Sequence, residues 1–202
     1  MPKSGKIIIA ITGEIGAGKS TYAEEFEKNG AQPVYTDLIT REILRLNEVK
    51  SLIEKDFGKN LLQNNEINSR KLAEKAFKDR ASWQKLIDIT HPYILKKTKE
   101  IIAKSKSNYC VVDAPLLFES KFNKDSDFII VVEADARLRE ERLKGRMSWE
   151  EVKRRASYLM PIEEKKRLAD IVIENNSKEK RKVEENVEKI FRRIKSKRDQ
   201  AT

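Results

Sequence analysis

The chain is poor in the residues that build several kinds of site. Its 202 residues include one cysteine, Cys110, and one histidine, His91. A single cysteine forms no internal disulfide, and one Cys with one His cannot supply the four ligands of a structural zinc site. A lone histidine with no nucleophile signature around it gives no support to a Ser-His-Asp triad. Aromatic residues make up 7% of the chain, few for a base-stacking platform. No apolar run approaches a membrane span; the longest, Ile7 to Ile11, has the length of a buried strand. The first residues show neither a signal-peptide apolar core nor a cleavage signature, so a cytoplasmic protein is expected.

Charge is what the chain has in abundance. Charged residues make up 38% and the formal net charge is +10. That balance raises a nucleic-acid partner, but its distribution argues otherwise. Lys178 to Arg198 holds ten Lys/Arg against four Asp/Glu, so most of the excess sits in one C-terminal segment. Two readings stay open: a solvated basic helix face, and a basic cleft for a small polyanionic substrate.

Short apolar stretches recur along the chain: Ile7–Ile11, Val34-Tyr35, Tyr109–Val112, Phe128–Val132 and Ile171–Ile173. Continuous apolar runs separated by helical patterns predict a parallel sheet covered on both faces, in a layered α/β fold. The gap between the second and third stretches exceeds one crossover helix. Within it, Val49, Ile53 and Phe57 form one helical stripe and Leu72, Ala76 and Phe77 another. Trp83, Leu86 and Ile87 form a third, and Ile94 to Ile102 a fourth. Gly58 and Gln63-Asn64-Asn65 mark breaks. Arg137 to Leu159 is arginine-rich and helical, interrupted at Gly145. Val183, Val187, Ile190, Phe191 and Ile194 give the last helix a core-facing stripe.

The decisive segment is Gly13-Glu14-Ile15-Gly16-Ala17-Gly18-Lys19-Ser20-Thr21, which fits G-x-x-x-x-G-K-[ST]. It follows the strongest strand and opens a helix, the context that motif requires. The glycines allow a tight turn whose N–H groups point inward, and the helix adds its positive end, so phosphate oxygens are held. Lys19 is expected to reach the β- and γ-phosphates of ATP, and Ser20 to ligate Mg2+. No guanine-recognition signature of the N-K-x-D type is present. Small size and a helical insert favour a small-molecule kinase over a motor or GTPase.

Several further segments carry a resemblance. They are Val34-Tyr35-Thr36-Asp37, Thr90-His91-Pro92, Val111-Val112-Asp113-Ala114-Pro115-Leu116-Leu117-Phe118-Glu119 and Ala169 to Asn176. Together with the P-loop, and in this order over nearly the whole chain, they resemble the dephospho-CoA kinase family. The P-loop is generic; the Pro-Leu-Leu-Phe-Glu segment and the His-Pro pair are more specific. The resemblance implies phosphorylation of the ribose 3′-hydroxyl of dephospho-CoA by ATP with Mg2+, giving coenzyme A and ADP. It also implies a three-layer α/β P-loop kinase fold with a five-stranded parallel sheet. Its nucleotide-binding core would comprise residues 1–40, 107–135 and 160–202, with a helical CoA-binding insert over 41–106 and a lid over 136–159.

The resemblance also suggests roles. Asp37 matches a catalytic aspartate, able to take or orient the acceptor's proton; read alone, it serves equally as a helix N-cap. Asp113, at a strand end, matches a magnesium-side carboxylate, or is a turn residue. His91, Leu117 and Glu119 fall on the acceptor side, although Thr90-His91-Pro92 also reads as an ordinary helix start. Arg142 and Arg146 match lid arginines suited to the charge of a transferred phosphoryl group, or belong to a solvated basic helix. Gly13, Gly16, Ala17, Gly18, Lys19, Ser20, Thr21, Arg146, Asn175 and Asn176 would bind the nucleotide. The chain departs from the family at Glu14, Tyr35, Leu159 and Ser177, which touches adenine-loop and lid contacts more than the chemistry. The expected partner is a small molecule, with no nucleic acid and no membrane, for a monomer or small homo-oligomer. The rivals are a P-loop kinase for another nucleotide or sugar-like acceptor and a nucleic-acid-binding P-loop protein.

Overall fold

In the computed structural model, which describes residues 5–199, the longest apolar run of the sequence lies at the centre of the sheet. This is β1 (Ile7–Gly13), buried from Ile9 onward. The chain continues through α1 (Lys19–Lys28), β2 (Gln32–Tyr35), α2 (Thr36–Ile43), α3 (Asn47–Phe57), the short strands β3 (Leu62–Gln63) and β4 (Glu66–Ile67), α4 (Ser69–Ala76) and α5 (Arg80–Lys104). It then forms β5 (Tyr109–Asp113), β6 (Phe128–Glu133), α6 (Ala136–Leu143), α7 (Trp149–Ala156), α8 (Ile162–Arg167), β7 (Ile171–Glu174) and α9 (Lys180–Asp199).

The main sheet has the order β2-β5-β1-β6-β7, and every pairing is parallel. β1 pairs on both edges, with Ile9 opposite Val111 of β5 and Phe128 of β6. Its side chains alternate between two cores. Ala10 joins Cys110 and Val112 against α2 to α5, through Ile39, Ile53, Leu72 and Ile102. Ile9 and Ile11 join Val111 and Ile130 against α1 and α9, through Phe26, Val187, Phe191 and Ile194. Phe191 meets Phe26 and Tyr109 edge-on, at centroid distances of 5.6 and 4.8 Å. The five expected strands thus form the sheet, and the apolar stripe of the last helix is core packing. The basic residues of that helix from Lys180 to Lys195 are exposed, some paired along it, as in Arg181–Glu185 and Arg192–Glu188. Among the described residues no helix is long and apolar enough to cross a membrane.

The structure corrects one element. Thr90-His91-Pro92 does not open a helix; Pro92 lies inside the 25-residue α5. The true start is capped by Asp79, whose carboxylate accepts from Ser82 N at 2.7 Å. An internal proline removes one backbone bond and normally breaks a helix. Here Trp83, Ile87, Ile89, Thr98 and Ile102 are buried on both sides of it, and that packing outweighs the local loss. The Gln63-Asn64-Asn65 break is a tight hairpin joining β3 to β4, with Asn64 and Asn65 at φ 53° and 61°. Gly145, at φ 78°, lies between α6 and α7.

Candidate active site

The phosphate cradle forms where β1 meets α1. Gly13 stands at φ 142°, and any side chain there would run into the backbone carbonyl of Val132 on β6. Gly18, at φ 97°, caps α1, and a Cβ on it would lie 2.5 Å from Asn175 Nδ2. The first turn of α1 has no side-chain cap and no acidic residue, so its positive end faces the cleft uncompensated. Lys19 folds back, its Nζ donating to Glu14 O at 2.9 Å. Burial lowers the Lys19 pKa and the charge of Lys165 adds to this, while Asp113, Asp37 and Glu14 oppose it. Those five ionisable groups therefore share one electrostatic neighbourhood.

Ser20 Oγ donates to Asp113 Oδ2 at 2.6 Å. Asp113 ends β5 and is 7% exposed. Burial raises its pKa; the Ser20 bond and Lys19 oppose that rise, and Asp37 and Glu24 add to it. Its other oxygen, Oδ1, is buried without a hydrogen-bond partner. An orphaned carboxylate oxygen is costly, and a hard divalent cation is the partner chemistry that suits it. Ser20 and Asp113 thus fit Mg2+. No cluster of three or more His, Cys, Asp or Glu among the described residues has metal-site geometry. This agrees with an ion that takes most of its ligands from phosphate and water.

A cleft of about 690 Å³ extends from the cradle, bordered by Gly16, Lys19, Thr21, Arg142, Arg146 and Asn175. Arg142 is locked in place. One guanidinium nitrogen donates to Ala17 O at 3.2 Å and Gly16 O at 3.5 Å, the other to Asn175 O at 2.9 Å and Ser177 O at 3.3 Å. Asn175 is buried and donates from Nδ2 to Ala17 O at 2.8 Å, so the loop after β7 is stitched to the cradle. Asn176 does not border this cleft; its Oδ1 accepts from Asp135 N at 2.8 Å and steadies the entry to α6. The break after Leu143 takes Arg146 off the helix that carries Arg142. Both side chains still border the one cleft, and Arg146 is exposed.

On the other side, Asp37 is the second residue of α2, not its cap; Tyr35 holds the cap position and no side chain caps this helix. The Asp37 carboxylate is exposed and edges a cavity of about 60 Å³ shared with Thr36, Thr40, His91, Leu95 and Leu116. His91 is 8% exposed, and burial lowers its pKa, with Glu119 and Asp88 partly opposing. Leu117 is not at this cavity: it is fully buried in the core, while Leu116 faces the opening. Glu119 also points elsewhere. Its Oε1 accepts from Met160 N at 2.7 Å.

Two residues were not picked out by the sequence. Arg139 of α6 pairs with Glu14 at 3.0 Å and lies over Trp149. The unusual acid in the P-loop was its one available signal, since a carboxylate beside a phosphate cradle requires a counter-charge. Lys165 of α8 is 2% exposed and donates to Pro115 O at 3.3 Å. It sits in a Lys-Lys-Arg run that reads as surface, so nothing in the sequence marks it. The segment after α7 docks on the end of α4 and the start of α5. Tyr158 Oη donates to Phe77 O at 3.2 Å, and its ring packs on Phe77 and Trp83.

Comparison with known proteins points to one family. The family model described as dephospho-CoA kinase matches residues 7–181. The chain is 38% identical to the dephospho-CoA kinase of Aquifex aeolicus over 172 residues, covering 83% of this chain and 88% of that one. It is 34% identical to that of Buchnera aphidicola over 175 residues, covering 85% and 83%. The solved structure of dephospho-CoA kinase from Campylobacter jejuni superposes with a TM-score of 0.65 at 26% identity, over 93% of this chain and 96% of the other. With a family model spanning most of its length and these relatives, the chain belongs to the dephospho-CoA kinase family.

Proposed function

We propose that this cytoplasmic protein transfers the γ-phosphoryl group of ATP to the ribose 3′-hydroxyl of dephospho-CoA, giving coenzyme A and ADP. The observation that carries the reading is the convergence of Lys19, Asp113 and Asp37 between a phosphate cradle and an acceptor-side cavity. The backbone amides of the cradle and the first turn of α1 bind the phosphates. Lys19 exchanges Glu14 O for phosphate oxygens, whose negative charge favours the protonated form that burial disfavours. Arg142, already oriented by four carbonyls, places positive charge beside the cradle without reorganising. Asp37 accepts the proton of the acceptor hydroxyl, or orients that hydroxyl for in-line attack. His91, neutral at pH 7, presents an uncharged ring to the acceptor. Magnesium, held by Ser20 and Asp113, would supply charge neutralisation on the phosphate oxygens.

The test is ADP release with ATP, magnesium and dephospho-CoA, compared with adenosine, AMP and shikimate as acceptors. Turnover confined to dephospho-CoA is expected. Turnover on another acceptor and none on dephospho-CoA would overturn the reading of the acceptor while leaving a P-loop kinase.

A further inference from the structure

Glu119 and Lys165 face one another in the interior, with side chains 11% and 2% exposed. Their contact is not a tight salt bridge: Lys165 Nζ lies 3.8 Å from Glu119 Oε1. The ammonium has three donors, and among the described residues its one hydrogen bond is to Pro115 O at 3.3 Å. Glu119 Oε1 also accepts the Met160 amide, and Oε2 is buried without a partner. Desolvating buried charges matched this loosely can cost more than their attraction returns, and an apolar pair of equal volume is often as stable or more so. Stability does not account for this pair.

What the pair joins does. Pro115 O takes Lys165 on one side and the hydroxyl of Thr12, near the end of β1, on the other, at 3.3 Å each. Pro115 borders the cavity that holds Asp37 and His91, and it lies two residues beyond Asp113. Met160 ends the segment that returns from α7. Lys165 also edges a second cavity together with Gly13, Glu14 and Met160, on the cradle side. One charge pair therefore touches the loop after β5, the return of the arginine-rich segment and the mouth of the P-loop.

We infer that Glu119 and Lys165 are positioning residues for phosphoryl transfer, coupling the docking of residues 144–160 to the placement of the acceptor loop. Glu119 acts through the Met160 amide and Lys165 through the Pro115 carbonyl. This rests on the kinase reading above.

The test uses the full chain with Glu119→Gln, Lys165→Met, the double variant and Glu119→Ala. Gln at 119 keeps an acceptor for the Met160 amide and removes the charge. Each charge-removing variant is expected to lower kcat on dephospho-CoA tenfold or more and to raise its KM at least threefold. Affinity for ATP should stay within twofold; the double variant should not melt lower, whereas each single substitution strands one buried charge and should melt lower. The double variant should lose no more than the worse single one, as two halves of one device do. A purely structural pair would instead leave turnover per folded molecule unchanged in every variant, and that outcome overturns the inference. If Lys165→Met does not fold, Glu119→Gln carries the same comparison. Amide exchange across 144–160 reads the tie without any substrate. It should quicken in Glu119→Ala and Lys165→Met, and unchanged exchange overturns the coupling even if the parent enzyme acts on dephospho-CoA. No turnover by the parent would count against the kinase reading alone.

Discussion

Replacing Asp113 with asparagine should make the ligand-free protein slightly more stable and nearly inactive. Ser20 Oγ now donates 2.6 Å to a carboxylate whose second oxygen is buried and unpartnered. Asparagine keeps an oxygen for Ser20, so a charged hydrogen bond of about 1.5–3 kcal/mol becomes a neutral one near 1 kcal/mol. Against that loss stands relief of the charge that burial disfavours, again on the order of 1–3 kcal/mol. At the middle of both ranges the two nearly cancel, with a net gain of about 1 kcal/mol, or roughly 2–4 °C for a chain of this size. The pH dependence gives an independent check. Burial holds the folded-state pKa above the unfolded value. As pH falls through that raised value the folded protein takes the proton first, so the parent gains stability from this group until the unfolded carboxyl titrates near 3.9. The asparagine variant lacks this contribution, so its advantage over the parent should shrink on acidification. Turnover should drop about 10²- to 10³-fold, the effect of removing one preorganised electrostatic group. The stabilisation of the parent by magnesium and ATP together should largely vanish. Thermal melting across pH, with and without magnesium and ATP, plus ADP release, covers all of this. A ligand-free variant destabilised by more than about 2 kcal/mol, with magnesium-dependent stabilisation and turnover intact, would refute the reasoning.

Lys19→Ala and Asp37→Asn should each abolish most turnover, and Asp37→Asn should leave ATP affinity nearly unchanged in a calorimetric titration, because its carboxylate edges the cavity shared with His91 and not the cleft that extends from the cradle. Arg142→Ala breaks a fork to four carbonyls of the cradle and the β7 loop, so both melting temperature and kcat should fall, and Arg142→Lys should not restore kcat because an ammonium lacks the fork. The pKa of His91 is depressed by burial, so below its ordinary value of about 6.5 the unfolded chain protonates first and stability is lost as pH falls. His91→Gln should flatten that part of the melting-temperature curve between pH 7 and pH 5.

The strands were legible because a parallel sheet covered on both faces leaves continuous apolar runs, of which Ile7–Ile11 is the longest. The cradle was legible because its glycines answer to close backbone approaches that no other residue allows, as at Gly13. α5 was misread because local chemistry at His91-Pro92 favours a start, while the packing that carries the helix through comes from distant residues. Leu116 and Leu117 differ only in which way the loop turns, and identical side chains give no hint of that. Lys165 was invisible for the same reason: exposure is a tertiary property, and three consecutive basic residues look alike until a helix buries one of them.

The alternation of side chains across β1 has a consequence for how such a protein diversifies. Ala10 and Ile11 are neighbours in the chain, yet they answer to different halves of the molecule. Substitutions that reshape the layer around Thr40, Leu95 and Leu116 propagate into α2 and α5, while the packing of α1 and α9 beneath the cradle is shielded by a rigid wall of backbone. On the proposed reading of the cavity, a lineage can therefore explore new acceptors by drift in one layer while holding its nucleotide chemistry constant in the other. A laboratory graft of the 41–106 segment from a relative would exploit the same independence.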